Sequence, residues 1–385
     1  MTPGRFDDPV HSPGIAIGDE LLQKVGRDEG GDCTAGGSLR LGARGLRLGL
    51  ARAHPILLGR AIRLGEINRD GMLCSFESPR HRIQGPISLH EDQVAIDAAI
   101  ASAMIRAQFP EFRDQPIAAL RGAGTDHAIF RIGSGAAARF PLRAMDPIAC
   151  AEKLRGEAAA MTAFAGCAPF ATPKPIGIGR PGPLYPMPWS VQTWIEGEVA
   201  APDGFARSTQ FAHDLVTLIA ALRAVATGGR RFDGEGRGGH LPDHDTWMET
   251  CFTNSVGLLD VARLRALWAK LRVLPASGPD VMSHRDLIPA NLLIEGERLI
   301  GVLDAGRFGP ADPALDLVAA WHLLDRERRE VLRRELGSSA IEWRRGAAWA
   351  FEQAMGLVWY YVRSNPAMSA LGRSTLDRLL GDPDL

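Results

Sequence analysis

The sequence predicts an α+β fold in which strands come first and helices follow. Short apolar runs at 116–120 and 128–132 flank a turn with two glycines, a pattern typical of paired strands. Two longer segments, 209–225 and 261–274, repeat apolar residues at helical spacing. We therefore expect a small, mostly antiparallel sheet in the first half of the chain and a larger, mainly helical part in the second.

Composition places the chain among ordinary globular proteins. Its 385 residues carry a formal net charge of −1, and 45% of them are hydrophobic. There is no basic excess for nucleic acid, and no apolar stretch of about 18 residues, so neither nucleic-acid binding nor a membrane span is expected. Residues 1–19 lack the apolar centre of a secretory signal. The oligomeric state stays open.

The cysteines indicate the compartment. There are five, an odd number, and none forms a Cys-x-x-Cys pair. Free thiols in a reducing environment are the natural interpretation, so we expect a cytoplasmic protein. These cysteines are Cys33, Cys74, Cys150, Cys167 and Cys251.

Residues 1–85 differ from the rest and are predicted to be a disordered or poorly ordered extension. Gly, Pro and Arg are frequent there, and apolar periodicity is poor. The segment 36–65 has six arginines and no acid, so a basic segment that touches a membrane surface or an acidic partner is the alternative. Its glycines disfavour a stable helix. We assign this region no function.

Order is predicted to begin with a helix at 91–108, which Pro110 ends. The turn that follows contains Gly122, Gly124 and Thr125, and glycines let backbone amides approach phosphates closely. Two glycines are a weak signal, and a plain hairpin is the alternative. His127 is expected to be a surface or packing residue rather than a ligand.

Further helices are predicted in the last quarter of the chain, at 317–336 and 347–362. The second carries an apolar stripe, which indicates a core-facing surface rather than a binding site.

The strongest chemical signal is the order of three polar residues. Asp286 precedes Asn291 by five positions, and Asp304 follows after a second apolar run, thirteen positions beyond Asn291. A base that orients an attacking hydroxyl, followed by an amide and a carboxylate that hold Mg²⁺, is what metal-assisted phosphoryl transfer requires. His284 opens the same stretch, and we expect it to brace the loop by hydrogen bonds.

This spacing resembles the catalytic and metal-binding loops of the protein-kinase-like fold. Protein kinases carry Asp-Phe-Gly where this chain has Asp304-Ala305-Gly306, and the run 309–317 resembles the Gly-Asp-Pro-x-x-Asp-Leu-Ala run of aminoglycoside phosphotransferases and related small-molecule kinases. The resemblance covers about 88–380. It implies a bilobal protein-kinase-like α+β fold, with a nucleotide-binding lobe and hinge at 86–197 and a catalytic and substrate lobe at 198–385.

The resemblance also implies roles for residues of the first lobe. Arg139 would hold the nucleotide phosphates where kinases use Lys, which exchanges a point charge for a planar fork. Glu157 would be its ion-pair partner, with Glu152 as the competing choice. Backbone groups around Thr193 and Ile195 would bind the purine base at the hinge, and the 122–125 turn would cover the phosphates.

Three further groups of residues have more than one interpretation. Trp194 either lines the nucleotide pocket or fills the interface between the lobes. The acids Asp312 and Asp316 are expected to be structural, with direct contact to the substrate as the alternative. The loop 230–245 contains two histidines and several acids, but their spacing fits no zinc pattern, so a solvated loop is favoured. In related enzymes this region shapes the substrate side, which makes Asp243 and Asp245 weak candidates for binding an amine.

The function implied is transfer of the γ-phosphoryl group of ATP (or GTP) to a hydroxyl of a small molecule. An aminoglycoside-like acceptor is expected first, as in the kinases that confer antibiotic resistance. Alternatives are a kinase for another hydroxylated metabolite or antibiotic (a macrolide, a choline-like amine or a sugar), or an inactive nucleotide-binding module. The cofactor expected is Mg²⁺, with Asn291 and Asp304 as its ligands.

Overall fold

A five-stranded antiparallel sheet forms the N-terminal part of the structure, a computed structural model that describes residues 94–120, 127–202 and 204–385. The strand order is β1-β2-β3-β5-β4. The predicted strands at 116–120 and 128–132 are confirmed, with boundaries that differ by at most one residue. The five strands are β1 Ile117–Ala119, β2 His127–Ile132, β3 Ala136–Pro141, β4 Pro175–Gly179 and β5 Trp189–Thr193.

Strand β3 is central, and every one of its residues is buried. Its Phe140 ring stacks on Trp189 with centroids 4.6 Å apart and meets Tyr185 edge-on at 5.1 Å. Gly179 lies under the same indole, where a Cβ would come within 2.4 Å of Trp189 Cζ2. The sheet therefore has its own aromatic core, which fixes the position of β3 and of the arginine that it carries.

Helices α1 (Ala98–Gln108) and α2 (Pro147–Ala165) pack on this sheet. The predicted start of the first helix at residue 91 is wrong: residues 94–97 are not helical, and Val94 donates its amide to Leu142 at 2.7 Å. The helix begins after Asp97 because that carboxylate accepts the Ile100 amide at 2.8 Å. Residues 91–93 lie outside the described ranges.

Helices dominate the C-terminal part. The predicted helix at 209–225 is confirmed as Thr209–Arg223, but the single helix predicted at 317–336 is wrong, because Leu324 is extended and Asp325 caps a new helix. The seven α-helices of this part, within the described ranges, are α3 Thr209–Arg223, α4 Asp245–Asn254, α5 Val261–Leu271, α6 Val318–Leu323, α7 Arg326–Glu335, α8 Ala340–Tyr360 and α9 Pro366–Leu380.

Helix α8 runs through the centre of the second core, and the prediction that its apolar stripe faces the core is confirmed, since Phe351, Met355 and Val358 are fully buried. The first core draws on residues from Ala101 to Val191 and the second on residues from Phe164 onward, so α2 contributes to both. All of the described residues fall in one compact unit. No helix in the described ranges is both long and apolar enough to cross a membrane.

Short strands flank the polar motif residues. Strand β7 (Val281–Ser283) pairs with β10 (Gly309–Ala311), while β6 (Glu198–Val199), β8 (Leu292–Glu295) and β9 (Arg298–Val302) form a three-stranded sheet. Strands β8 and β9 are a hairpin whose turn contains Gly296 at φ 59°. Because Asn291 immediately precedes β8 and Asp304 follows β9, the hairpin brings both residues to one end.

Candidate active site

The carboxylate of Asp286 is the buried centre of the candidate site. Its Oδ1 accepts hydrogen bonds from Arg237 Nη2 and Gln353 Nε2, each at 3.1 Å, and its Oδ2 accepts one from Asn291 Nδ2 at 3.1 Å. Three donors from three separate segments hold the carboxylate in one orientation. A carboxylate fixed in this way can accept a proton from a hydroxyl placed next to it.

The loop that presents Asp286 has a strained turn. Arg285 has φ 74°, in the left-handed region that few non-glycine residues adopt. Asp316 stabilises the turn, since its two carboxylate oxygens accept the amides of His284 (2.9 Å) and Arg285 (3.1 Å). The Arg285 guanidinium in turn binds Asp233 through two hydrogen bonds of 2.9 Å. The expectation that Asp316 is structural agrees with these contacts.

His284 is fully buried between the two motif loops. Its Nε2 lies 2.8 Å from the carbonyl oxygen of Leu303, which can only accept, so Nε2 carries the proton. Its Nδ1 is then the acceptor for the Asp286 amide at 3.3 Å. The ring therefore ties the loop of Asp286 to the residue that precedes Asp304.

The segments that contain Asn291 and Asp304 are joined through their backbones, because the amide of Leu303, the residue before Asp304, donates to the Asn291 carbonyl at 2.8 Å. The Asn291 amide nitrogen is directed at Asp286, where it donates to the backbone oxygen at 2.9 Å as well as to Oδ2. The side-chain oxygen of Asn291 is therefore the atom that could bind a metal ion. Asp304 adopts φ 62° and ψ 44°, a left-handed conformation after β9.

This donor set fits Mg²⁺. An amide oxygen and a carboxylate are the oxygen ligands that Mg²⁺ takes from proteins, with phosphates completing its shell. Within the described ranges, no group of three or more His, Cys, Asp or Glu side chains could hold a metal ion by itself. Asn291 and Asp304 could thus provide two protein ligands of an open metal site, whereas a closed structural metal site would need more.

Arg139 lies on β3 and is buried, and its Nη1 donates to Gln192 at 3.2 Å. Its Nε and Nη2 have no hydrogen-bond partner among the described residues. Glu157 on α2 is close enough for the Arg139 charge to lower its pKa, whereas Glu152 is exposed. Of the two acids weighed from the sequence, the structure therefore brings Glu157 towards Arg139.

The electrostatics of the site centre on three acids. Burial raises the pKa of Asp286 to about 7; Arg237 opposes that shift, the Asp304 charge adds to it, and hydrogen bonds from Gln353 and Asn291 oppose it. Burial likewise raises the pKa of Glu157 to about 6, against the pull of Arg139 and Lys153, and Asp304 again adds to the shift. A cation beside Asp304 would offset the repulsion among these carboxyls.

The predicted hinge follows β5. Thr193 donates its amide to Lys174 at 2.8 Å, so that amide belongs to the sheet rather than to a ligand. Trp194 donates its amide to Gly135 at 2.9 Å, and Arg131 lies over its ring at 4.8 Å. Ile195 packs against Gly301 of β9. The glycine turn with Gly122, Gly124 and Thr125 lies outside the described residues, as does the extension 1–85.

Asp243 and Asp245, the two candidate amine ligands of the loop 230–245, both have partners within the protein. Asp245 accepts from Arg272 Nε at 2.7 Å and from Trp268 Nε1 at 3.1 Å, which removes it as an amine ligand. Asp243 is exposed and lies 3.3 Å from His240. The interpretation of the whole loop as solvated is wrong for Arg237 and His244, which are buried.

Sequence reasoning missed Arg237 and Gln353, the two partners of Asp286 Oδ1. Arg237 stands in a run of glycines, and Gln353 stands in the middle of a core helix. A buried glutamine on an apolar face is the single hint in the sequence, since such a residue needs a polar partner. Asp312, by contrast, binds Arg345 Nε at 2.8 Å and Trp349 Nε1 at 2.9 Å, in the structural role expected for it.

Comparison with solved structures identifies the fold. The GDP complex of aminoglycoside 2'-phosphotransferase-IIIa aligns with TM-score 0.55 and 18% identity, over 74% of this chain and 99% of that one. The GDP and kanamycin complex of APH(2")-IIia aligns with TM-score 0.54 and 18% identity, over 72% of this chain and 97% of that one. A macrolide 2'-phosphotransferase type I aligns with TM-score 0.50 and 18% identity, over 74% and 98%. The bilobal protein-kinase-like fold is therefore confirmed.

Comparison of sequences identifies the family. No curated protein matches the chain significantly. The model of the phosphotransferase enzyme family that includes the aminoglycoside phosphotransferases matches residues 118–349, which is more than half of the chain. This region contains Arg139, Asp286, Asn291 and Asp304. The chain thus belongs to the phosphotransferase enzyme family.

Proposed function

We propose that this enzyme transfers the γ-phosphoryl group of ATP or GTP to a hydroxyl of a small molecule, with Asp286 as the base. One observation carries the proposal: a buried carboxylate held by three hydrogen bonds lies next to an amide and a second carboxylate at one end of the β8–β9 hairpin. Base, amide and carboxylate are the parts that phosphoryl transfer to an alcohol requires.

Each residue has a definite task in this mechanism. Asp286 orients the acceptor hydroxyl and takes its proton as the oxygen attacks the γ-phosphorus, while the bond from that phosphorus to the bridging β–γ oxygen breaks and the nucleoside diphosphate leaves. Arg139 binds the phosphates through its free Nε and Nη2 donors, and Glu157 holds Arg139 in place. Asn291 and Asp304 would bind Mg²⁺. The ion supplies neutralisation of phosphate charge when it is bound.

His284 holds the loop in place and does not take the proton of the acceptor hydroxyl. Both ring nitrogens are already used, one by Leu303 and one by the Asp286 amide. The base of the nucleotide would bind at the hinge, where Ile195 rather than Thr193 supplies the backbone groups, since the Thr193 amide is taken by Lys174. The 122–125 turn would cover the phosphates.

The acceptor that we place first is an aminoglycoside-like amino sugar, because one structure of similar fold is a kanamycin complex. A macrolide is the next candidate, since a macrolide phosphotransferase also shares the fold. The local charges favour neither strongly: Asp245 and Asp312 are bound to arginines, so they add little attraction for a polycation.

The test is nucleotide consumption by the full-length chain with ATP or GTP, with and without Mg²⁺, against aminoglycosides, macrolides, choline-like amines and sugars. We expect Mg²⁺-dependent consumption with one of these classes, and a product that has gained one phosphoryl group by mass spectrometry. Nucleotide binding without transfer to any acceptor would instead favour an inactive nucleotide-binding module.

A further inference from the structure

Two buried donors, remote from each other in sequence, meet at one oxygen of the proposed base. Arg237 Nη2 and Gln353 Nε2 both donate to Asp286 Oδ1 at 3.1 Å, from 49 and 67 positions away. Their residues are 5% and 2% exposed. Neither residue belongs to the motif that carries Asp286, so the fold alone brings them there.

The number of lone pairs on each oxygen of Asp286 determines which oxygen can still accept a hydrogen bond. A carboxylate oxygen accepts about two hydrogen bonds in its plane. Oδ1 has two donors among the described residues, whereas Oδ2 has one, Asn291 Nδ2. The remaining acceptor position is therefore on Oδ2, on the side of the metal-binding amide. A hydroxyl that donates to Asp286 would then be directed to Oδ2.

The orientation of Gln353 is set by a chain of hydrogen bonds across the helical core. Gln353 Oε1 lies 2.9 Å from His322 Nε2, and His322 Nδ1 lies 2.8 Å from Thr375 Oγ1. Oε1 can only accept, so Nε2 of His322 carries the proton. A flipped amide would turn Oε1 towards the Asp286 carboxylate and lose both bonds. His322 thus keeps the Gln353 NH₂ group directed at the base.

Arg237 is held from its other side. Its Nε lies 3.9 Å from Glu352 Oε2, and Oε1 of the same fully buried carboxylate lies 3.3 Å from His244 Nδ1. The next residue, Gly238, has φ 128°, and a side chain would not fit there because its Cβ would lie 2.8 Å from Ala311 Cβ. The Gly238 carbonyl oxygen accepts the Asp312 amide at 2.8 Å. Arg237 is therefore fixed before any substrate binds.

We propose that Arg237 and Gln353 are positioning residues that hold Oδ1 of Asp286 and so direct its Oδ2 to the acceptor hydroxyl, with His322 acting through Gln353. The inference rests on the proposed function, because it assigns these residues to the base of that reaction. It predicts an effect on the turnover step rather than on nucleotide binding, since neither residue contacts Arg139 or Asp304 by any hydrogen bond among the described residues.

The test is a double-mutant cycle in turnover. Arg237→Met and Gln353→Met should each lower kcat about tenfold or more, because small misplacements of a base are costly. The KM for nucleotide and its Kd should stay unchanged. In an Asp286→Asn background, the same two changes should lower kcat less than about twofold, since the group that they position no longer accepts the proton.

Three control variants distinguish a loss of kcat caused by misplacement of Asp286 from one caused by unfolding. Arg329→Met removes another buried arginine, one that pairs with Asp382 at 3.0 Å, and should lower Tm without changing kcat of the folded protein. Arg237→Lys keeps the charge and should recover part of the rate, and it replaces Arg237→Met if that variant does not fold. His322→Asn should lower kcat in the parent but add nothing to Gln353→Met.

The results of the double-mutant cycle either support or overturn the positioning role of Arg237 and Gln353. Loss of kcat in the parent with little further loss in the Asp286→Asn background supports the inference. Equal losses in both backgrounds would overturn it and leave Arg237 and Gln353 as packing residues. Absence of turnover by the parent enzyme with every acceptor would overturn the proposed function itself, which is a different result.

Discussion

At the scale of single residues, Asp316 shows how a buried acid can serve the chemistry without touching a substrate. It accepts the amides of His284 and Arg285 and so holds the left-handed turn from which Asp286 extends. A turn of this kind is strained and persists because its surroundings hold it.

Asp316→Asn should therefore lower both stability and turnover. One amide loses its acceptor, which costs roughly 1–3 kcal/mol, and the displaced turn should lower kcat by about tenfold or more. Urea unfolding and steady-state kinetics measure the two effects.

Asp214 provides the matched control. It is also a buried acid, 4% exposed against 3% for Asp316, and it also accepts a backbone amide, that of Leu299 at 3.0 Å. It binds the far end of the β8–β9 hairpin, so Asp214→Asn should lower stability and leave kcat intact. A loss of kcat in Asp214→Asn equal to that in Asp316→Asn would contradict the assignment.

The sequence predicted the motif residues but not their supports, and the reason is physical. Asp286, Asn291 and Asp304 lie on two loops joined by one hairpin, so their spacing along the chain reflects their spacing in space. Arg237 and Gln353 reach Asp286 only after the helical core has assembled. No pattern of neighbouring residues in the sequence predicts these long-range contacts.

At the scale of elements, the pairing of α8 with α9 depends on one glycine. A Cβ at Gly372 would lie 2.8 Å from the Ala354 carbonyl oxygen and 2.8 Å from Leu357 Cβ, both on α8. The close approach of these helices buries the region that also carries Glu352 and Gln353.

Gly372→Ala should destabilise the protein by roughly 1–3 kcal/mol, because the overpacking outweighs the better helix propensity of alanine. Gly156→Ala on α2 is the comparison, since nothing lies within 4 Å of its Cβ position. That change should raise stability by up to about 1 kcal/mol. Equal effects of the two substitutions in thermal unfolding would refute the packing argument.

Element boundaries were predicted less well than element types. The helix expected at 317–336 is two helices, and the helix expected from 91 begins at 98. In both cases an aspartate caps the helix that follows it, Asp325 or Asp97, and its side chain decides the boundary. Apolar periodicity continues through such a break, which is why it did not reveal the caps.

At the scale of the whole molecule, the helical core contains a histidine, His322, whose protonation in the folded protein is unfavourable. Burial lowers the pKa of His322 from 6.5 to about 4; the hydrogen bond to Gln353 opposes that shift, and the charges of Arg378 and Arg237 add to it. The neutral ring links α6, α8 and α9.

The contribution of His322 to stability should consequently fall on acidification, whereas the raised pKa values of Asp286 and Glu157 act in the opposite direction. Between pH 6.5 and about 4 the unfolded chain binds a proton at His322 that the folded protein does not, so the contribution of this group is complete above pH 6.5 and is lost as the pH falls through this window. The loss from this group is at most about 3 kcal/mol. The difference in the free energy of unfolding between the parent and His322→Asn should therefore shrink as the pH falls through the window; a difference that does not change with pH would exclude His322 as a source of the pH dependence.

The overall architecture was the most predictable feature of all. The order of strands before helices and the motif spacing were sufficient for the bilobal kinase-like fold, which the solved structures of similar fold confirm. The lobe boundaries at 86–197 and 198–385 remain predictions, and so do the roles of the site residues, because those roles depend on a bound nucleotide and acceptor.

The most direct test of the account is the turnover of Asp286→Asn with the acceptor found in the panel. The substitution keeps the size of the side chain and removes its ability to take a proton. We predict that kcat falls roughly 100-fold or more while the Kd of the nucleotide stays at the parent value. Turnover at the parent rate would contradict the central claim, because the hydroxyl proton would then have another acceptor.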